Sequence, residues 1–135
     1  MRILLGIIIG IFSEGLLLAL AAYIVTINVP FNGGGSFMSV SEPEKLAAVG
    51  GGIYGVLLGA VSGAIISGMG LNVGKSILVS VILYFICGIL FIFWIGSDPF
   101  YEVTIGWLFA AILVSGIVSG FFVSLIVNLT FGQAE

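Results

Sequence analysis

The sequence predicts an all-α integral membrane protein of four transmembrane helices, and three observations carry that prediction. Of the 135 residues, 61% are hydrophobic and only 7% are charged, whereas a soluble domain carries roughly a quarter of its residues charged. The apolar residues fall into four runs, each close to the roughly twenty residues a helix needs to cross the hydrocarbon layer. Between the runs lie clusters of proline, asparagine and glycine, which end helices. The length fits one domain spanning residues 1–135.

The first run, Ile3–Val29, ends at Pro30 and the Asn32-Gly33-Gly34-Gly35-Ser36 stretch. Met1-Arg2 and Ala19-Leu20-Ala21 have the outline of a signal peptide, but Glu14 interrupts the apolar core such a peptide needs, so a retained helix is expected. Residues 30–46 form the one sizeable loop, read as a solvated linker although Phe31, Phe37 and Met38 could touch a membrane surface or a partner. The second span is Ala47–Leu71, and Asn72-Val73-Gly74-Lys75-Ser76 turns tightly into the third, Ile77–Ile95. Gly96-Ser97-Asp98-Pro99 separates it from the fourth, Ile105–Leu129. Arg2 and Lys75 fall on one side and Lys45 on the other, with Glu42, Glu44, Asp98 and Glu102. The positive-inside rule therefore puts both termini in the cytoplasm. A prokaryotic inner or plasma membrane is the expected location.

A shift of 56 residues lays the second span over the fourth. Ser41-Glu42-Pro43 meets Ser97-Asp98-Pro99, Gly55, Gly59 and Gly63 meet Ala111, Ser115 and Ser119, and Ala60, Ala64 and Gly68 meet Gly116, Gly120 and Ser124. Each Ser-acid-Pro triplet suits a helix start: serine caps, the acid favours the positive end, and proline tolerates the first turn. Two repeated helical hairpins in parallel orientation are the architecture this implies, although the first and third spans do not align.

Gly51, Gly55, Gly59, Gly63 and Ser67 recur at four-residue spacing and form one stripe on a helix. Lipid tails are as apolar as leucine, so membrane helices associate by close packing, which small residues permit. A second stripe, Gly52, Ala60, Ala64 and Gly68, lies about 100° round the same helix. Two small faces imply two close neighbours, so the second helix is expected at the centre. The fourth carries the matching positions Ala111, Ser115 and Ser119, with Gly116, Gly120 and Ser124. The third is bulky, with Phe85, Ile86, Ile89, Leu90, Phe91, Ile92, Phe93 and Trp94, and is expected to face lipid. Trp94, Phe100, Tyr101 and Trp107 suit the interfacial aromatic belt.

Glu14 stands twelve residues after Arg2, about 18 Å along a helix, and so near mid-bilayer. A charge there is costly and marks a functional site by default. No Lys or Arg lies at that depth, so the neutral acid is the expected form. Gly6 and Gly10 precede it on the same face, which suits a neighbouring helix. Ser62, Ser115 and Ser119, with Tyr54 and Tyr84, are the hydroxyls at similar depth. Three roles fit: a neutral bond between helices, a proton or cation site, or pairing with a cation of another subunit or with a bound cofactor.

Several chemistries lack their residues. The chain has no histidine and a single cysteine, Cys87, which reads as a packing residue. No metal, cofactor or disulfide is expected, and no catalytic triad or carboxylate pair is visible. No basic tract points to nucleic acid. Gly70-Leu71-Asn72-Val73-Gly74-Lys75-Ser76 is one residue short of a phosphate loop and follows a membrane helix. Asn128-Leu129-Thr130 matches a glycosylation sequon at the predicted cytoplasmic edge, and Asn72 and Asn128 are read as helix-end caps.

The span count and Ile11-Phe12-Ser13-Glu14-Gly15 resemble the small multidrug resistance transporters, in which such a glutamate binds protons and cationic drugs. The longer first loop and the absence of that family's other helix motifs keep the resemblance from implying an activity. The leading expectation is a non-enzymatic membrane protein whose helix faces serve packing, as a homo-oligomer or an accessory subunit of a larger membrane complex. The alternative is a small proton- or cation-coupled transporter or channel using Glu14.

Overall fold

The computed structural model describes residues 1–28, 43–95 and 102–132. They form four helices: α1 (Arg2–Asn28), α2 (Pro43–Met69), α3 (Val73–Ile95) and α4 (Glu102–Phe131). All four are long and apolar enough to cross a membrane. Large apolar side chains such as Phe12, Leu16, Leu57, Leu78, Phe93 and Leu129 point outward around the bundle, the arrangement hydrocarbon surroundings favour. The predicted loop residues Pro30–Ser36, Phe37 and Met38, the Ser41-Glu42 start and Gly96–Pro99 lie outside the described residues. So do Phe100, Tyr101 and the side chains of Trp94, Phe91 and Ile92. Trp107 is 57% exposed.

The turn between α2 and α3 shows how local chemistry ends one helix and starts the next. Gly70 adopts φ 61°, a conformation that side chains disfavour, and the Leu71 N–H closes back on the Ile66 carbonyl, a Schellman C-cap. Asn72 then starts α3: its side-chain oxygen accepts from the Lys75 N–H at 3.0 Å. Asn72 is thus an N-cap of α3, and the Gly-Lys-Ser run serves a helix–helix turn. Asn72→Ala removes this cap and is expected to cost about 1 kcal/mol, read as a lower unfolding midpoint in detergent. At the far end of α4, Gly132 (φ 78°) donates to the Asn128 carbonyl.

α1 packs most extensively on α2 and also lies along α4; α4 packs on α3 as well, while α2 meets α3 and α4 only sparsely. The α1–α2 contact is backbone against backbone. The carbonyls of Gly6, Gly10, Glu14 and Leu18 face Gly63, Gly59, Gly55 and Gly51 in turn, an antiparallel ladder with four-residue steps on both helices. Any side chain beyond hydrogen at these glycines would overlap a facing main chain. Such proximity also brings weak Cα–H···O contacts within reach.

This differs from the expected central position of α2. Its glycine series is consumed by one partner, α1. The second small stripe does not take another helix: Gly52 lies by the Ala19 side chain, Gly68 by Ile3, and Ala60 and Ala64 are half-buried. Stripes 100° apart flank one broad interface as readily as they serve two. Toward the rest of the bundle α2 presents larger groups, Leu58 in a cluster with Leu18, Tyr84 and Ile112, and Ile66 against Val123 and Val127.

α3 combines the expected bulky outer face, with Phe85, Ile86, Leu90 and Phe93 exposed, and an inner stripe the bulk concealed. Ser76, Ser80, Tyr84 and Gly88 recur every four residues and are buried. They meet α4 where it is small: Gly116 lies on the Tyr84 ring, Gly120 on Ser80, and Gly88 makes room for Phe109. Phe109 also packs edge-on to Phe85, with centroids 5.6 Å apart.

Candidate functional site

Glu14 is fully buried, at 0% exposure. Three features of the chain put it there. The stripe Gly6, Gly10, Glu14, Leu18, Ala22 runs down one face of α1. The Gly55 and Gly59 backbones of α2 close over it on one side, with Glu14 Cβ 2.9 Å from where a side chain of Gly59 would begin. On the other side α4 turns Ser115 and Ser119 inward, 4% and 1% exposed.

The carboxyl is held by neutral groups. Ser115 Oγ lies 2.6 Å from Glu14 Oε1 and 2.8 Å from the Ile112 carbonyl. The Tyr84 and Ser119 hydroxyls adjoin the carboxyl, but Oε2 makes no hydrogen bond of satisfactory geometry. Around it the hydroxyls pair among themselves. Ser13 Oγ is 3.0 Å from Ser119 Oγ, and Ser62 Oγ is 3.2 Å from the Tyr84 hydroxyl. Ser13 donates to the Gly10 carbonyl and Ser62 to the Gly59 carbonyl, each at 3.3 Å. All four helices thus contribute to one buried polar centre: Ser13 and Glu14 from α1, Ser62 from α2, Tyr84 from α3, Ser115 and Ser119 from α4.

Of the hydroxyls expected at this depth, Ser115 makes the bond to Glu14, Ser119 joins Ser13, and Ser62 reaches the carboxyl only through Tyr84. Tyr54 turns away and donates to the Cys87 carbonyl at 3.1 Å. Cys87 itself is half-buried beside the apolar cluster. The small positions divide their work: Gly51, Gly55, Gly59 and Gly63 face α1, Gly116 and Gly120 face α3, and Ala111 is half-buried. Ser80 was an inward residue not foreseen in a phenylalanine-rich span; its signal is the four-residue spacing from Ser76 through Tyr84 to Gly88.

A second polar cluster closes the end of the bundle that holds Arg2. The Arg2 guanidinium donates to Asn128 Oδ1 at 2.7 Å and to the Gly132 carbonyl at 3.2 Å. Asn128 Nδ2 donates to the Leu71 carbonyl and to Ser124 Oγ, both at 3.1 Å. Ser124 Oγ and Ser76 Oγ also reach the Leu71 carbonyl, at 3.3 and 3.4 Å. Asn128 therefore ties α1, α4 and the α2–α3 turn together, in place of capping its own helix.

Among the described residues, no three His, Cys, Asp or Glu side chains converge as metal ligands would. Comparison with protein-family models, curated proteins and solved structures finds no match.

Proposed function

We propose that the chain is a small non-enzymatic multi-pass membrane protein that works by taking up and releasing a proton at Glu14, as a coupled transporter or channel subunit. The observation that carries this reading is a fully buried carboxyl, bonded through one oxygen only, in a nest of hydroxyls from all four helices. A serine has one hydrogen, yet Ser115 Oγ stands between two acceptor positions, Glu14 Oε1 and the Ile112 carbonyl. The neutral acid resolves this: the carboxyl supplies the second hydrogen to Ser115, which donates to Ile112. Ionised Glu14 would instead lie unpaired by any cation, and that contrast between the two states is what a proton-coupled site requires.

Glu14→Gln keeps the shape and hydrogen bonding and removes titration. In proteoliposomes carrying a pH-sensitive dye, the wild-type protein is expected to dissipate a proton gradient and the Gln variant to lose that flux. Its elution in mild detergent should be unchanged. Equal flux from both proteins would sink the reading.

The second reading, an accessory subunit or homo-oligomer, draws support from an open apolar groove between α1 and α2, lined by Gly15, Val49, Gly52, Ile53, Val56 and Leu57. It draws none from the main glycine series, which α1 already covers. A stable complex with native membrane partners on purification would favour it. We further propose insertion in a prokaryotic inner or plasma membrane with both termini cytoplasmic, supported by Arg2 and Lys75 at one end and Lys45 near the other. A repeated hairpin is supported by the 56-residue shift and by the pairs α1–α2 and α3–α4. The two pairs pack by different means, main chain on main chain in the first and side chains over Gly116 and Gly120 in the second.

A further inference from the structure

We propose that in this conformation Glu14 exchanges its proton with the side of Arg2, Lys75 and Asn128, through a ladder of buried hydroxyls between α3 and α4, so that passage to the other side needs a second arrangement of the helices. This rests on the reading of Glu14 as a titrating centre and adds direction to it.

The buried polar side chains are not spread evenly along the bundle. Among the described residues they are, besides Glu14, Ser62, Ser67, Ser76, Ser80, Ser115, Ser119 and Ser124. Counted along their helices, all of these serines lie level with Glu14 or between it and the Arg2 end. On α3, Tyr84, Ser80 and Ser76 step toward that end at intervals of four residues, about 6 Å each. On α4, Ser119 and Ser124 descend beside them, and Gly120 leaves the space into which Ser80 Oγ points. Ser80 is 1% exposed and its Oγ makes no hydrogen bond to another protein group. The series ends at Ser76, Ser124 and Asn128 around the Leu71 carbonyl, with Arg2 above.

In the opposite direction the described core is apolar. Leu18, Leu58 and Ile112 pack beside Tyr84, with Leu83, Cys87 and Leu113 against them, and Ala22 and Val25 continue the inner face of α1. The Tyr54 hydroxyl on that side is engaged with a main-chain carbonyl. Among the described residues, the fully buried hydroxyls therefore run from Glu14 toward the Arg2 end.

The step conserves every hydroxyl. An ionised Glu14 takes a hydrogen from its neighbouring hydroxyl, that oxygen receives one from the next rung, and the last takes a proton from water at the Arg2 end. Water must bridge the rungs that lie a full helical turn apart. The groups facing Glu14 are Gly55, Gly59 and, through Tyr84, Ser62 from α2, Tyr84 from α3, and Ser115 and Ser119 from α4. Tyr84 is the one titratable group among them, and none carries a formal charge at neutral pH.

The test uses proteoliposomes of the full chain in a single orientation, verified by protection of a C-terminal tag, and a membrane-permeant carbodiimide, which modifies protonated carboxyls. Mass spectrometry reads the extent of Glu14 modification while the pH is changed on one side at a time. Modification is expected to follow the pH of the Arg2 side far more strongly than that of the other. In Ser80→Ala the same final extent should be reached several-fold more slowly after a pH jump. Modification that follows the opposite side, or both sides equally, overturns one-sided access and leaves the proton site standing. Modification indifferent to pH on both sides overturns the proton site and the inference with it.

Discussion

Gly59→Ala is expected to separate α1 from α2 and to destabilise the protein by about 3 kcal/mol, the top of the range for overpacked sites. The added methyl would overlap the Gly10 carbonyl and press on the Glu14 Cβ. Overpacking is usually relieved by a side chain changing rotamer, but here the obstacle is main chain on a helix that carries its own hydrogen bonds. Relief needs the two helices to move apart, which loosens the ladder at Gly55 and Gly63 as well. Gly50→Ala and Gly106→Ala are the controls, since neither position has an atom within 4 Å of the added carbon. Those two should be neutral or gain up to about 1 kcal/mol from alanine's better helix propensity. Thermal unfolding in detergent orders the three variants. A Gly59→Ala protein as stable as the Gly50→Ala control would contradict the α1–α2 register.

Gly116→Ala should have the second largest effect, and it acts on a side chain in place of a backbone. A methyl there would sit 2.6 Å from Tyr84 Cγ and 2.8 Å from Cδ1, near the root of the ring, where rotation cannot clear it. Tyr84 must shift as a whole, at an expected cost of about 2 kcal/mol, and it takes its hydroxyl away from Ser62 and Glu14. Proton flux should therefore fall together with stability. Tyr84→Ala removes the obstacle but leaves a cavity, for about 3 kcal/mol alone. Combined, the two substitutions should cost less than their sum, with a coupling on the order of 1 kcal/mol. Strict additivity would show that the ring does not lie on Gly116.

The four helices were legible because membrane-length apolar runs are long and their breaks are chemically blunt. Residues such as Asn72 and Gly70 mark a turn whatever surrounds them. Glu14 was legible for the same reason: no other acid interrupts a span, and its cost in hydrocarbon does not depend on its neighbours. What could not be read was which face meets which helix. Gly52, Ala60, Ala64 and Gly68 look like a second interface in one dimension, yet they flank the first, because smallness permits contact without demanding it. Tyr84 could be placed at the depth of Glu14, but its packing partner could not. Its span is dominated by Phe85, Ile86 and Leu90, and only the opposing Gly116 turns the tyrosine into a core residue. Pairing of that kind joins positions far apart in the chain, and local pattern has no access to it.

The bond between Ser115 and Glu14 joins residues 101 positions apart, and this sets an order of events during synthesis. In a chain delivered to the bilayer helix by helix, the acid arrives in the first helix and its bonded partner Ser115, on α4, in the last. α2 comes next after α1 and offers the carboxyl no hydroxyl directly, only the glycine backbones of Gly55 and Gly59, which shield it from lipid. The glycine ladder thus doubles as a temporary shelter. It covers the acid until α3 brings the Tyr84 hydroxyl and α4 brings Ser115 and Ser119.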